Sequence, residues 1–333
     1  MQLLRKILFP FSLLYLLIVK LRNFLFNKQV FKSTSFNFPL ICVGNLSVGG
    51  TGKTPMIEYL ISLLKDEYEI GVLSRGYKRK TNGFLLAKEN ITVEELGDEP
   101  FQYYRKFKNI KVAVDANRVE GVSKLKNEFP ELDAVLLDDA FQHRKIKAKF
   151  NILLTVYNDL FVDDLMLPTG NLRDAKAEAN RAQIIVVTKC PENLSIEERE
   201  YILKKIKPQN NQNVYFTAIS YASVFYGETG VLSFPEAMKN KFTLVTGIAK
   251  PKPLVSFLKK HDFNFEHKEY ADHHHFSSQE IEELRKESLI ITTEKDFVRL
   301  QYQLSNVFYL PIKVDFLFNQ KEEFDWQIRN VLK

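Results

Sequence analysis

Residues 41–55, ICVGNLSVGGTGKTP, restrict the fold more than any other stretch of the chain. An apolar run ends in a glycine-rich turn, then Lys53, Thr54 and Pro55, after which apolar residues recur at helical spacing. A strand, a glycine loop and a helix in that order point successive backbone N–H groups at one spot, which is an anion site. Gly49, Gly50, Thr51 and Gly52 would cradle nucleotide phosphates, Lys53 would reach the β- and γ-phosphates, and Thr54 would ligate Mg²⁺. Pro55 falls in the first helical turn, where a missing N–H does no harm. The stretch departs from G-x-x-x-x-G-K-[ST] at one position, Ser47, where the first glycine belongs.

A phosphate loop needs an acidic partner at the end of a neighbouring strand. LDAVLLDDAFQH, residues 132–143, offers Asp138 and Asp139 as metal-binding candidates where open α/β sheets place their ligands. Short apolar runs at 40–44, 70–74, 111–114, 134–138, 151–156 and 184–188 alternate with helical patterns at 54–65, 98–107, 117–128 and 196–206. That alternation predicts an α/β fold: a P-loop NTPase-like domain over 29–218 with a mostly parallel sheet. Residues 207–236 read as irregular and polar, which places a linker at 219–236. A second, smaller α/β lobe is expected over 237–333, from strands 242–246, 289–293 and 307–313 and helices 253–260 and 278–286.

Charge is distributed unevenly. The net charge is +6, yet seven basic residues (Arg5, Lys6, Lys20, Arg22, Lys28, Lys32 and Lys53) precede the first acid, Glu58. The body of the chain is therefore close to neutral, which argues against a nucleic-acid surface. The apolar run 7–19 within this basic opening is shorter than the roughly 20 residues that span a bilayer, and Pro10 interrupts it. Residues 1–28 are expected to form a membrane-associating helix on an anionic surface, the alternative being a helix buried against a core. Two cysteines, Cys42 and Cys190, build no disulfide framework and suggest a reducing compartment.

These elements alone do not separate a kinase from a switch or targeting ATPase. Guanine recognition is disfavoured, because Thr188-Lys189 is followed by Cys190-Pro191 and the lysine of Thr293-Glu294-Lys295-Asp296 is misplaced. Arg75 in SRGY and Arg173 in LPTGNLRD are candidates for substrate phosphate, since a guanidinium binds phosphate bidentately, or for salt bridges. His143 could support the acidic pair or pack, and Asp115 and Arg118 in DANR could meet substrate or cap a helix. The run His273-His274-His275 lacks an i, i+4 pair and does not read as a metal site.

The chain resembles the tetraacyldisaccharide 4′-kinases (lipid A 4′-kinases) of Gram-negative bacteria along nearly its whole length. The marks are FPFSLLY with LRNFLF, VGNLSVGGTGKTP, LSRGYKR, GDEP, DANR, LDDAFQHR, LPTGNLRD, VTGIAKP, ADHHHF and TTEKD. Serine at the first loop position belongs to that family's own pattern. The resemblance implies transfer of the ATP γ-phosphoryl group to an acylated glucosamine disaccharide 1-phosphate at its 4′-hydroxyl, on the cytoplasmic face of the inner membrane. It also implies that Asp98 in GDEP accepts the hydroxyl proton and that His273 orients Asp98, beside Lys53 at the phosphates.

Overall fold

The computed structural model describes residues 5, 7–228 and 230–333. Residues 1–4 and Lys6 of the expected amino-terminal segment, and Thr229 of the expected linker, lie outside the described residues.

Two sheets organise the chain. The larger has nine strands, in the order Ile312–Phe316, Asn213–Tyr221, Ile184–Thr188, Phe150–Val156, Leu40–Asn45, Ala134–Asp138, Ile70–Ser74, Ile110–Val114 and Leu85–Leu86. The two outermost strands pair antiparallel and the rest run parallel. Side chains alternate between two cores, as the strand period of two requires. Leu40, Cys42, Val135 and Leu137 face one core, and Ile41, Val43, Ala134 and Leu136 face the other. Tyr15, Leu16 and Val19 of the amino-terminal helix Phe9–Asn27 close the first core. Helix Lys53–Leu64 and the carboxyl-terminal helix Lys321–Leu332 close the second, through residues such as Met56, Leu60, Phe324 and Ile328.

The smaller sheet has six strands, in the order Gly230–Ser233, Val224–Gly227, Val307–Tyr309, Ile290–Thr292, Phe242–Thr246 and Phe265–Glu269. The chain leaves the larger sheet after Tyr221 and returns at Ile312, and these two residues are register partners. Ala222 N–H donates to the Pro311 carbonyl at 3.0 Å beside this crossing. The smaller lobe is thus an excursion between two neighbouring strands.

Four expectations are corrected. Residues 207–236 are not an irregular linker: Asn213–Tyr221 is a strand of the larger sheet, and Val224–Gly227 pairs with Gly230–Ser233. Val214 to Ala218 are buried in succession, so the alternation that identifies a half-exposed strand is missing. Residues 237–333 are not one lobe, because the chain from Ile312 onward rejoins the larger sheet. The expected strand 307–313 is two strands in different sheets, broken at Leu310-Pro311, where proline removes a ladder donor. Pro10 does not interrupt the amino-terminal helix; it sits in its first turn. The 19-residue helix is about 28 Å long, enough to cross a membrane by length and composition.

Helix Asp98–Lys106 forms the seam between the lobes, packed against helix Glu294–Leu300. Within that seam Lys106 Nζ lies 2.7 Å from Glu58 of the larger lobe and 2.8 Å from Glu294 of the smaller. Burial and the Glu58 charge push Glu294 up to about 7, against the pull of Lys106. The folded state therefore binds a proton at Glu294 more readily than the unfolded state, and this contribution to stability is lost as pH rises through about 7. Lys106→Met should lower the unfolding free energy by about 3 kcal/mol at pH 8, where two buried carboxylates lose their shared cation. The loss should be smaller at pH 5, where Glu294 carries its own proton. Urea unfolding at both pH values checks this, and equal losses would count against it.

Candidate active site

The glycine loop stands at the carboxyl end of Leu40–Asn45, between Ala134–Asp138 and Phe150–Val156. Gly52, immediately before helix Lys53–Leu64, has φ 91°, and Gly49 has φ 109°; glycine adopts this left-handed region without steric cost. Ser47 is not among the positive-φ residues, so its position does not require glycine. Two segments brace the loop. On one side Val48 N–H donates to Asn171 O and Arg173 N–H to Leu46 O, both at 2.8 Å. On the other, Thr188 Oγ1 donates to Thr51 O at 2.8 Å and Lys189 Nζ to Gly50 O at 2.6 Å.

The two aspartates after the strand are not equivalent. Asp138 is buried, accepting from Ser74 Oγ at 3.1 Å and lying 3.5 Å from the Tyr103 hydroxyl. Burial and the Asp139 charge push its carboxyl up to about 6, against Lys53. Asp139 takes a left-handed backbone, φ 48°, and both its oxygens accept from the Arg173 guanidinium. Burial would raise its pKa, but Lys53 at 3.9 Å and Arg173 outweigh it and hold it below the usual carboxylate range.

Thr54 stands near the Tyr103 phenol, which also neighbours Asp138, so Thr54 and Asp138 approach one group from two sides. A hydroxyl and one carboxylate are hard donors, suited to Mg²⁺ that keeps waters and phosphate oxygens as its other ligands. Asp139 is committed to Arg173. Among the described residues no three His, Cys, Asp or Glu side chains gather as a metal cage.

A third carboxylate lies in the seam between the lobes. Asp98 opens helix Asp98–Lys106 and is 3% exposed. Its Oδ2 lies 2.6 Å from His273 Nδ1, and its Oδ1 accepts from Arg299 Nε at 2.8 Å. Burial raises its pKa, but the bonds from His273 and Arg299 overcome that and leave it below the usual range. Asp98 belongs to the larger lobe, while His273 and Arg299 belong to the smaller, so the pair is assembled between lobes. His274 turns instead to Glu280 at 3.0 Å, and His275 to Arg299 at 2.9 Å.

The other candidates divide. Arg173 is engaged with Asp139 and Asn45 beneath the loop. Arg75 is exposed and has no hydrogen bond or ion pair among the described residues. Arg118 is buried against the Asp115 and Ala116 carbonyls, at 3.0 and 3.2 Å, and Asp115 Oδ1 accepts from Asn117 N–H, so DANR locks a helix start. Burial, then Arg118, Lys145 and Arg75, bring His143 down to about 4, so it is neutral at physiological pH.

Sequence reasoning missed Lys189, Lys250, Lys295 and Arg299. The last two lie on Glu294–Leu300, a seven-residue helix too short to show apolar periodicity. Its signal was nonetheless present: Thr293 caps the Asp296 N–H, as S/T-x-x-[DE] spells, and Lys295 and Arg299 are four apart on one face. Lys189, half-buried, is lowered by burial and by the charges of Lys250 and Lys53, so ammonium groups from three segments act on one another beside the loop. Asp139, Lys189 and His273 all hold left-handed backbone conformations, a costly geometry that clusters at functional sites.

A glycine loop with phosphate-site geometry, on the same lobe as a buried carboxylate hydrogen-bonded to an imidazole, fits the P-loop class of phosphotransferases. Comparison with known proteins narrows that class. The family model for tetraacyldisaccharide-1-P 4'-kinase matches residues 4–333, and the chain belongs to that family. The Flavobacterium johnsoniae tetraacyldisaccharide 4'-kinase is 53% identical, over 100% of this chain and 98% of that protein. Its Bacteroides thetaiotaomicron counterpart is 42% identical over 97% and 92%. Among solved structures, "apo" form LpxK from Aquifex aeolicus in complex with ATP superposes with a TM-score of 0.81 at 30% identity, covering 99% of this chain and 100% of that one.

Clustered lysines at the loop favour a polyanion. Lys189→Met should weaken ATP binding about tenfold, equivalent to roughly 1.4 kcal/mol, by losing both a cation and the brace on Gly50. Isothermal titration calorimetry measures this, and unchanged affinity would remove Lys189 from the site.

Proposed function

We propose that the chain transfers the γ-phosphoryl group of ATP to the 4′-hydroxyl of a tetraacyldisaccharide 1-phosphate, a step in lipid A formation, at the cytoplasmic face of the inner membrane. The observation that carries this reading is Asp98, ionised and oriented by His273 at 2.6 Å, on the lobe that bears the phosphate loop. Phosphoryl transfer rests on positioning and charge stabilisation, with one group to receive the nucleophile's proton. The loop amides of Gly49, Gly50, Thr51 and Gly52 hold the phosphates, and Lys53 lies against the transferring group. Thr54 and Asp138 would hold Mg²⁺, which when bound neutralises phosphate charge. Asp98 takes the proton of the acceptor hydroxyl as its oxygen bonds phosphorus, and ADP leaves. Arg75, exposed and uncommitted, suits an anionic group of the substrate.

The acceptor is lipidic, and the amino-terminal helix fits a lipid surface. Four of its polar side chains turn inward: Ser12 bonds Thr169 at 2.7 Å, Tyr15 bonds the Arg173 carbonyl at 3.1 Å, and Arg22 and Asn23 bond Asp174. Phe9, Phe11, Leu13, Leu14, Leu17, Ile18, Leu21 and Phe24 stay exposed. A helix in contact with the protein along one face and apolar along the other lies in the interface, with Lys20, Lys28 and Lys32 near headgroups at about 1 kcal/mol each.

ATP turnover should require the acylated acceptor and yield one 4′-phosphate per ATP consumed; equal hydrolysis with and without acceptor would favour a targeting ATPase instead. Asp98→Ala should lower kcat by about 10² to 10⁴-fold, the usual cost of removing a general base, with little change in ATP affinity. A near-normal kcat would refute that role. Leu14→Asp with Leu17→Asp should abolish flotation with anionic vesicles while leaving the thermal midpoint near that of the parent protein.

A further inference from the structure

Two cations on helix Glu294–Leu300 meet the catalytic pair from opposite sides. Lys295 Nζ lies 3.0 Å from His273 Nε2 and 2.9 Å from Asp272 Oδ1. An ammonium group only donates, so His273 Nε2 must accept. A neutral imidazole with its lone pair at Nε2 carries its proton at Nδ1, the nitrogen that faces Asp98 Oδ2 at 2.6 Å. Arg299 grips the other oxygen of Asp98, through Nε at 2.8 Å and Nη2 at 2.6 Å. The helix that presents both cations is itself anchored: Asp296 Oδ2 accepts from Gly247 N–H at 2.8 Å and from Thr293 Oγ1 at 2.7 Å.

We propose that Lys295 and Arg299 are positioning residues for phosphoryl transfer: Lys295 fixes His273 as the neutral Nδ1–H tautomer, and Arg299 holds Asp98 as an ionised, aimed carboxylate. This rests on the reading of Asp98 as proton acceptor. His273 can then donate to Asp98 but cannot take a second proton at Nε2 while Lys295 occupies it. A carboxylate has about four acceptor positions, so the bonds from His273 and Arg299 leave room for the incoming hydroxyl. Both positioning groups come from the smaller lobe, so the base is set only when the lobes meet as they do here.

Other groups facing the pair do not duplicate these roles. Around His273 stand Asp98, Asp272, Lys295 and the edge of the Tyr77 ring, with centroids 5.9 Å apart. Around Asp98 stand His273 and Arg299, with Glu99 beside it in its own helix, Asp296 acting through space and His275 reached through Arg299. Lys80 and Glu94 act in turn on His275. Lys295 is the cation at His273 and Arg299 the one at Asp98.

The test combines pH profiles with a measurement that needs no substrate. In Lys295→Met, Nε2 becomes free to protonate, so kcat should acquire a new step in the range where imidazoles titrate and fall about tenfold between pH 8.5 and pH 6. In Arg299→Gln, the Asp98 carboxyl loses its cation, and the acidic limb of kcat should move to higher pH; Arg299→Lys should return most of that shift. The KM for ATP should stay near that of the parent in all three. A loss of kcat equal at every pH in both Lys295→Met and Arg299→Gln would reduce the two residues to a structural role and overturn the proposal. ¹⁵N NMR of the ligand-free parent protein at pH 7 should show His273 unprotonated at Nε2, and in Lys295→Met protonation at both nitrogens should appear on acidification. A proton at Nε2 in the parent would overturn the proposal outright. A parent protein that phosphorylates no lipid acceptor would defeat the functional reading instead, while the NMR result would still decide the tautomer.

Discussion

The carboxylate of Asp98 is covalently part of one lobe and hydrogen-bonded into the other. Helix Asp98–Lys106 grows from the larger body, and its first residue receives bonds from His273 and Arg299 of the smaller. A buried carboxylate is costly unless paired, so the lobes must adopt an arrangement that supplies those partners. The same helix ends at Lys106, which is held between Glu58 and Glu294. Both ends of one nine-residue helix are thus ionic junctions between lobes, and the apolar side chains Phe101 and Tyr103 fix it to the core between them. The smaller lobe leaves and re-enters through two adjacent strands, which leaves these junctions to define how it sits over the loop.

A second chain of contacts runs from the amino-terminal helix to the nucleotide loop. Arg5 bonds the Gly170 carbonyl at 2.7 Å, Ser12 bonds Thr169, and Tyr15 bonds the Arg173 carbonyl. The segment they hold supplies Asn171 O to Val48, the Arg173 N–H to Leu46 and the Arg173 guanidinium to Asp139. A helix suited to a lipid surface and a loop suited to phosphate therefore share one brace, LPTGNLRD. Arg173 reads as a substrate ligand when only its chemistry is considered, but here its fork is spent on Asp139 and Asn45.

Much of this was legible in the residues because local signals and tertiary demands agreed. The strand-loop-helix at 40–64 carries its glycines where left-handed conformations occur, and LDDAFQH follows a strand that lies beside it. Asp98 and His273 are 175 residues apart, and no spacing rule connects them; only the family resemblance brought them together. What stayed hidden was structure without periodicity. Asn213–Tyr221 is buried on both faces, Glu294–Leu300 is two turns long, and the return of 312–333 to the larger sheet is a topological fact with no local mark. Thr293 and Asp296 did spell a helix start within TTEKD, and that cue preceded two of the cations at the site.

Ser47 shows why a motif is better tested on backbone geometry than on its letters. A glycine is needed where φ is positive, and in this loop that occurs at positions 49 and 52. Position 47 is buried, paired with Leu172, and its carbonyl accepts from Asn45 Nδ2 at 2.6 Å. The backbone there is tied to the LPTGNLRD brace, and a residue with ordinary conformational preference suits that better than glycine, which loses more entropy on ordering. The substitution thus follows from the brace, and the brace from the helix that carries it.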